Sequence, residues 1–95
     1  MEERIDSVVI SDEMANKIAR MLGDILRDIR TQKRISQHTL SESVEINSSY
    51  YSLIENGEVN LTLRKFLSIC AGLGIGADEI MRLLVESIDN YYRSS

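Results

Sequence analysis

Residues 36–56 read Ser36-Gln-His-Thr-Leu-Ser-Glu-Ser-Val-Glu-Ile-Asn-Ser-Ser-Tyr-Tyr-Ser-Leu-Ile-Glu-Asn56, and their punctuation divides them into a short helix, a tight turn and a second short helix. Ser36 and Asn47 are favourable N-caps, because a side-chain oxygen there accepts from a backbone N–H that has no helical partner. Leu40 and Val44 fall on one side of the first helix and Tyr51 and Ile54 on one side of the second. Ser41 is small enough to let a crossing helix approach, Glu45 and Ile46 are left for the turn, and Gly57 supplies a stop. The helix 47–56 then turns Ser48, Ser49, Ser52, Leu53 and Asn56 outward.

Upstream, Met14, Ile18, Leu22, Ile25, Leu26 and Ile29 recur at steps of three or four from about residue 12 to 33, the pattern of an amphipathic helix capped at Ser11 and Asp12. Gly23 costs this helix about 1 kcal/mol relative to alanine, so the position calls for close packing or a break. Before it, Ile5, Val8, Val9 and Ile10 make a small apolar patch, a strand or an arm. Downstream, Thr62 caps a fourth helix with Leu63, Phe66, Ile69, Cys70 and Leu73 inward, ending among Gly72, Gly74 and Gly76. Asp78 and Glu79 suit the start of a fifth helix, whose apolar stripe is Ile80, Leu83, Leu84, Ile88 and Tyr91. The chain reads as all-α: a compact five-helix domain over 12–92, preceded by an N-terminal extension or arm at 1–11.

Ninety-five residues, 43% of them hydrophobic, suit one domain with one aliphatic core. The single cysteine, Cys70, excludes an internal disulfide and reads as a buried thiol. No run is apolar enough to span a membrane, and Met1-Glu2-Glu3 lacks the basic start of a signal peptide, so a cytoplasmic protein is expected. Catalysis is not expected: there is no glycine-rich phosphate loop and no nucleophile beside a base, while Asp24 and Asp28 read as a solvated helix face. His38 has no second histidine or cysteine at metal spacing, so neither metal nor cofactor is expected.

Taken in order, Leu22-Gly23, Leu26, Arg30, Ser36-Gln37, Leu40, the run Tyr51 to Gly57 and Leu73-Gly74-Ile75 resemble the Cro and phage-repressor type of helix-turn-helix domain, the xenobiotic-response-element family. The likeness runs from Leu22 to Leu84, and Asn60-Leu61-Thr62 is similar to the controller proteins of restriction-modification systems. The resemblance implies a lambda-repressor-like fold, a transcriptional regulator such as a repressor, double-stranded DNA as partner, and an ion pair between Arg30 and Glu55. It also exposes two departures: Arg34 and Glu45 stand where the family favours glycine, and a left-handed backbone there costs roughly 1–2 kcal/mol for any other residue.

On this resemblance the helix 47–56 enters the major groove, with Ser48, Ser49, Ser52 and Leu53 at base edges, the serines as donors or acceptors and Leu53 against a thymine methyl. Gln37, Asn47 and Asn56 are expected at the DNA backbone, and Tyr50 either shields the core or stacks on a sugar. Basic residues are absent between Arg34 and Arg64, and the net charge is −4. Salt-sensitive contacts therefore fall to Arg64 and Lys65, then to Lys33 and Arg34. Serines at helix starts also serve simply as caps, and the acidic middle leaves open a protein-binding antirepressor or adaptor that keeps the fold without reading DNA. Excess apolar surface at Ile80, Leu84, Ile88 and Tyr91 is expected to form a symmetric homodimer.

Overall fold

A computed structural model describes residues 9–94 and shows five helices: α1 Asp12–Gln32, α2 Gln37–Ser43, α3 Ser48–Glu55, α4 Leu63–Leu73 and α5 Ala77–Ser94. No strand occurs among the described residues. Of the N-terminal apolar patch, Ile5 and Val8 lie outside them, while Val9 and Ile10 are exposed and irregular.

Four helices begin on side-chain caps. Ser11, Ser36 and Thr62 accept from the backbone N–H three residues on, and Asn47 accepts from Ser49 and Tyr50. Each bond satisfies a donor that the helix leaves orphaned. Arg34 and Glu45 adopt φ of 60° and 58°, so both non-glycine residues take the left-handed conformation on either side of α2. Gly74 (φ 69°) ends α4 in the same conformation without strain.

The core is a single aliphatic cluster with two rings in it: Leu26, Leu40, Ile46, Tyr51, Ile54, Phe66, Ile69, Cys70, Leu73 and Ile80. Burial pushes the Cys70 thiol above its ordinary range, as expected of an inert packing residue. The long helices α1 and α5 lie against each other, and α3 packs on α1 and α2.

This packing corrects the dimer surface expected at Ile80, Leu84, Ile88 and Tyr91. The first three are buried within their own chain, and only Tyr91 stays exposed, with Lys17 Nζ of α1 5.1 Å from its ring centroid. An apolar stripe announces that something must cover it, not what. Here α1, with 21 residues, lies along α5.

Candidate nucleic-acid interface

α3 is held by its C-terminal end. Gly23 of α1 lets that end come close: a methyl at position 23 would collide with the Glu55 carbonyl oxygen and lie 2.8 Å from that of Ile54. The glycine that weakens α1 is therefore the site of closest helix approach, not a break.

Glu55 is fully buried and surrounded by donors. Arg30 meets it bidentately, Nε to Oε2 at 2.6 Å and Nη2 to Oε1 at 3.1 Å, while Gln37 Nε2 donates to Oε1 at 2.9 Å. The same guanidinium donates from Nη1 to the Ile35 carbonyl at 2.7 Å, fixing the α1–α2 turn. One planar fork thus joins α1, the start of α2 and the end of α3.

Burial alone would raise the Glu55 carboxyl, but Arg30, the adjacent Tyr51 hydroxyl and Gln37 together outweigh it and hold the group below its ordinary value. The Tyr51 hydroxyl interacts electrostatically with Glu55 without forming a hydrogen bond of normal geometry. Burial, followed by the neighbouring carboxylate, pushes its ionisation well above the usual tyrosine range.

Arg27 adds a clasp that the sequence did not reveal. Its Nη2 donates to the Glu55 carbonyl at 3.1 Å and to Asn56 Oδ1 at 3.2 Å, and its Nη1 to Asp24 Oδ1 at 3.3 Å. A cation there satisfies the last carbonyl of α3, that of Glu55, and opposes the dipole of the helix end. The only available signal was spacing: Arg27 lies one turn before Arg30 and one turn after Gly23 on the face toward α3.

With its inner face fixed, α3 turns Ser48, Ser49 and Leu53 to solvent, with Ser52 half-buried among them. Asn47 is exposed, but its side chain is used as the N-cap. Gln37 is half-buried and committed in part to Glu55, so the amide expected at the DNA backbone belongs also to the buried lock.

The basic flanks sit at opposite ends of this face. Lys65 Nζ lies 5.4 Å from the Tyr50 ring centroid, which places the first turn of α4, with exposed Arg64, beside the first turn of α3. Lys33 and Arg34 are exposed in the α1–α2 turn, which Arg30 ties to the far end of α3. Tyr50 is thus half-buried against the core, with the Lys65 ammonium near its ring. No helix among the described residues is long and apolar enough to cross a membrane.

The helix-turn-helix family profile matches residues 26–80. Over 66 residues the chain is 36% identical to the control protein C.MunI from Mycoplasma sp, covering 68% of this chain and 89% of that relative. The restriction-modification controller protein C.AhdI from Aeromonas hydrophila is 32% identical over 65% of this chain and 94% of its own, with a TM-score of 0.64. The restriction-modification controller protein C.Esp1396I, solved as a tetramer with its natural 35 base-pair operator, shares the fold with a TM-score of 0.69 over 75% of this chain and 93% of its own, at 24% identity.

Proposed function

Because the chain belongs to the helix-turn-helix family and is homologous to restriction-modification controller proteins, we propose that it is a sequence-specific transcriptional regulator that binds duplex DNA as a homodimer. The observation that carries this reading is the division of α3: one face locked by Glu55, the other solvent-exposed and bracketed at its two ends by Arg64–Lys65 and Lys33–Arg34. A major groove about 12 Å wide admits a helix of this kind.

Ser48, Ser49, Ser52 and Leu53 then meet base edges, and the four flanking cations meet phosphates. Short hydroxyls discriminate bases less sharply than a bidentate arginine, so part of the selectivity rests on water and on DNA shape. Dimerisation supplies the rest, by requiring two half-sites about 10 bp apart or a multiple of that spacing. With Ile80, Leu84 and Ile88 used inside the chain, the apolar side chains open to a second copy include Met81, Val85 and Tyr91 of α5 and Leu63 and Leu67 of α4.

Selection of bound duplexes from a random pool, followed by affinity measurements across salt, tests this reading. A DNA reader enriches a two-fold symmetric site and loses affinity linearly in log–log form, with a slope of about 0.9 per phosphate neutralised. No binding to any duplex at low salt, the chain's own promoter included, would sink the proposal and favour a protein-binding role for the same fold.

A further inference from the structure

Two side-chain amides flank the lock at the end of α3, and the chemistry of their partners fixes them in opposite senses. Arg27 Nη2 donates to Asn56 Oδ1 at 3.2 Å. A guanidinium has no acceptor, so the Asn56 oxygen must face Arg27 and both Nδ2 hydrogens are kept out of that contact. Gln37 is oriented the other way: a carboxylate only accepts, so its Nε2 faces Glu55 Oε1 at 2.9 Å and its oxygen is the end left over.

A DNA phosphate also only accepts. Of the two amides, Asn56 is exposed at the C-cap of α3 and keeps both donors available, whereas Gln37 is half-buried with its donor group shared. Arg27 is itself held by the Glu55 carbonyl, by the Glu55 carboxylate (Nε to Oε1 3.6 Å) and by Asp24 Oδ1 at 3.3 Å, and its charge behind the amide oxygen polarises the N–H bonds in front.

We infer that Arg27 is a positioning residue that holds the Asn56 amide donor-end outward for a phosphate oxygen of the bound duplex. The inference rests on the DNA-binding reading. Asn56 makes the contact and Arg27 acts through it.

The test uses the full chain and the duplex selected above, with Arg27→Met, Arg27→Lys, Asn56→Ala and the Arg27→Met/Asn56→Ala pair, each confirmed folded by circular dichroism. Loss of a hydrogen bond to a charged acceptor should make Asn56→Ala bind about tenfold more weakly. Arg27→Met should weaken binding by about three- to fivefold with an unchanged slope of log affinity against log salt, since a neutral amide releases no counterion. Arg27→Lys, which keeps a donor, should recover most of that loss, and the double variant should bind no more weakly than Asn56→Ala alone.

A slope reduced by about 0.9 in Arg27→Met means that Arg27 touches phosphate directly and overturns the inference. So does an Arg27→Met protein that unfolds at lower temperature yet binds normally while folded, or a double variant in which the two losses multiply. If the unmodified chain binds no duplex at low salt, the DNA reading falls and the inference with it, an outcome distinct from the others.

Discussion

The two faces of α3 are built on opposite terms. Inward, Tyr51, Ile54 and Glu55 are sealed from solvent, and the one charge among them is bound by Arg30 and Gln37. Outward, Ser48 and Ser49 are exposed, Ser52 is half-buried, and their hydroxyls take part in none of the side-chain hydrogen bonds of the described residues. The inner face spends strong electrostatics on orientation, which a rigid reading helix requires. The outer face carries weak groups that lose little when water leaves. On the proposed function, the absence of cations within the motif is a separation of tasks between the lock, the outer face of α3 and the basic flanks.

The sharpest way to break this contrast is to strand the buried charge. Arg30→Met should destabilise the fold by about 3–5 kcal/mol, because Glu55 is left in the interior without its main partner. Replacing both, Arg30→Met with Glu55→Leu, should restore much of the loss, since an apolar pair of similar volume carries no desolvation penalty. Urea unfolding midpoints decide the matter. A cost below about 1 kcal/mol for Arg30→Met would place the pair among ordinary surface bridges and remove the distinction between the faces.

Acid and alkali attack the same inner face from two sides. The Glu55 carboxyl titrates lower in the folded chain than its ordinary 4.5, so its contribution is complete above that value and is lost as pH falls through the folded value. The Tyr51 hydroxyl titrates above its ordinary 10, so its contribution is complete below pH 10 and is lost as pH rises beyond it. Thermal midpoints measured across pH should fall at both extremes, with the buried Cys70 thiol adding to the alkaline loss, and Tyr51→Phe should weaken the alkaline limb while shifting the acid limb only slightly, through the lost support of Glu55. An alkaline limb unchanged in Tyr51→Phe would assign that loss to other groups.

How far each face was legible in the sequence follows from the kind of signal involved. Helix periodicity and the caps Ser11, Ser36, Asn47 and Thr62 depend on local chemistry, and they lie where the spacing places them. The outward serines follow from the same periodicity. Arg30 with Glu55 came from resemblance, since 25 residues separate them and nothing local joins them. Arg27 escaped notice because a half-exposed arginine on an amphipathic helix looks solvated until the end of α3 is placed beside it. The α5 stripe points to a second copy for a related reason: periodicity marks a face, while the partner is chosen by tertiary packing.

The turns on either side of α2 are strained where the lock is not. Glu45 holds φ at 58° two residues before the α3 cap Asn47, and Arg34 holds 60° two residues before the α2 cap Ser36. Glu45→Gly should stabilise the chain by about 0.5–1 kcal/mol, the relief of left-handed strain less the added freedom of glycine in the unfolded state. Arg34→Gly should gain a similar amount while losing DNA affinity, because it also removes a flanking cation. Paired unfolding and binding curves separate the two effects. Any destabilisation by Glu45→Gly would mean that its side chain contributes something to the turn that the backbone geometry does not reveal.

The smallest expected change is on the outer face itself. Ser49→Ala removes one hydroxyl that the fold does not use, so stability should move by less than about 0.5 kcal/mol. Its effect belongs to preference: one or two base-pair positions in the selected site should relax, while affinity for unrelated sequences stays the same. Arg64→Ala supplies the counterpart, weakening binding to every sequence and lowering the salt slope by nearly one, because a phosphate contact carries no base information. If both substitutions lowered affinity equally for all sequences, the serine face would be reading nothing, and the contrast drawn across α3 would reduce to one of burial alone.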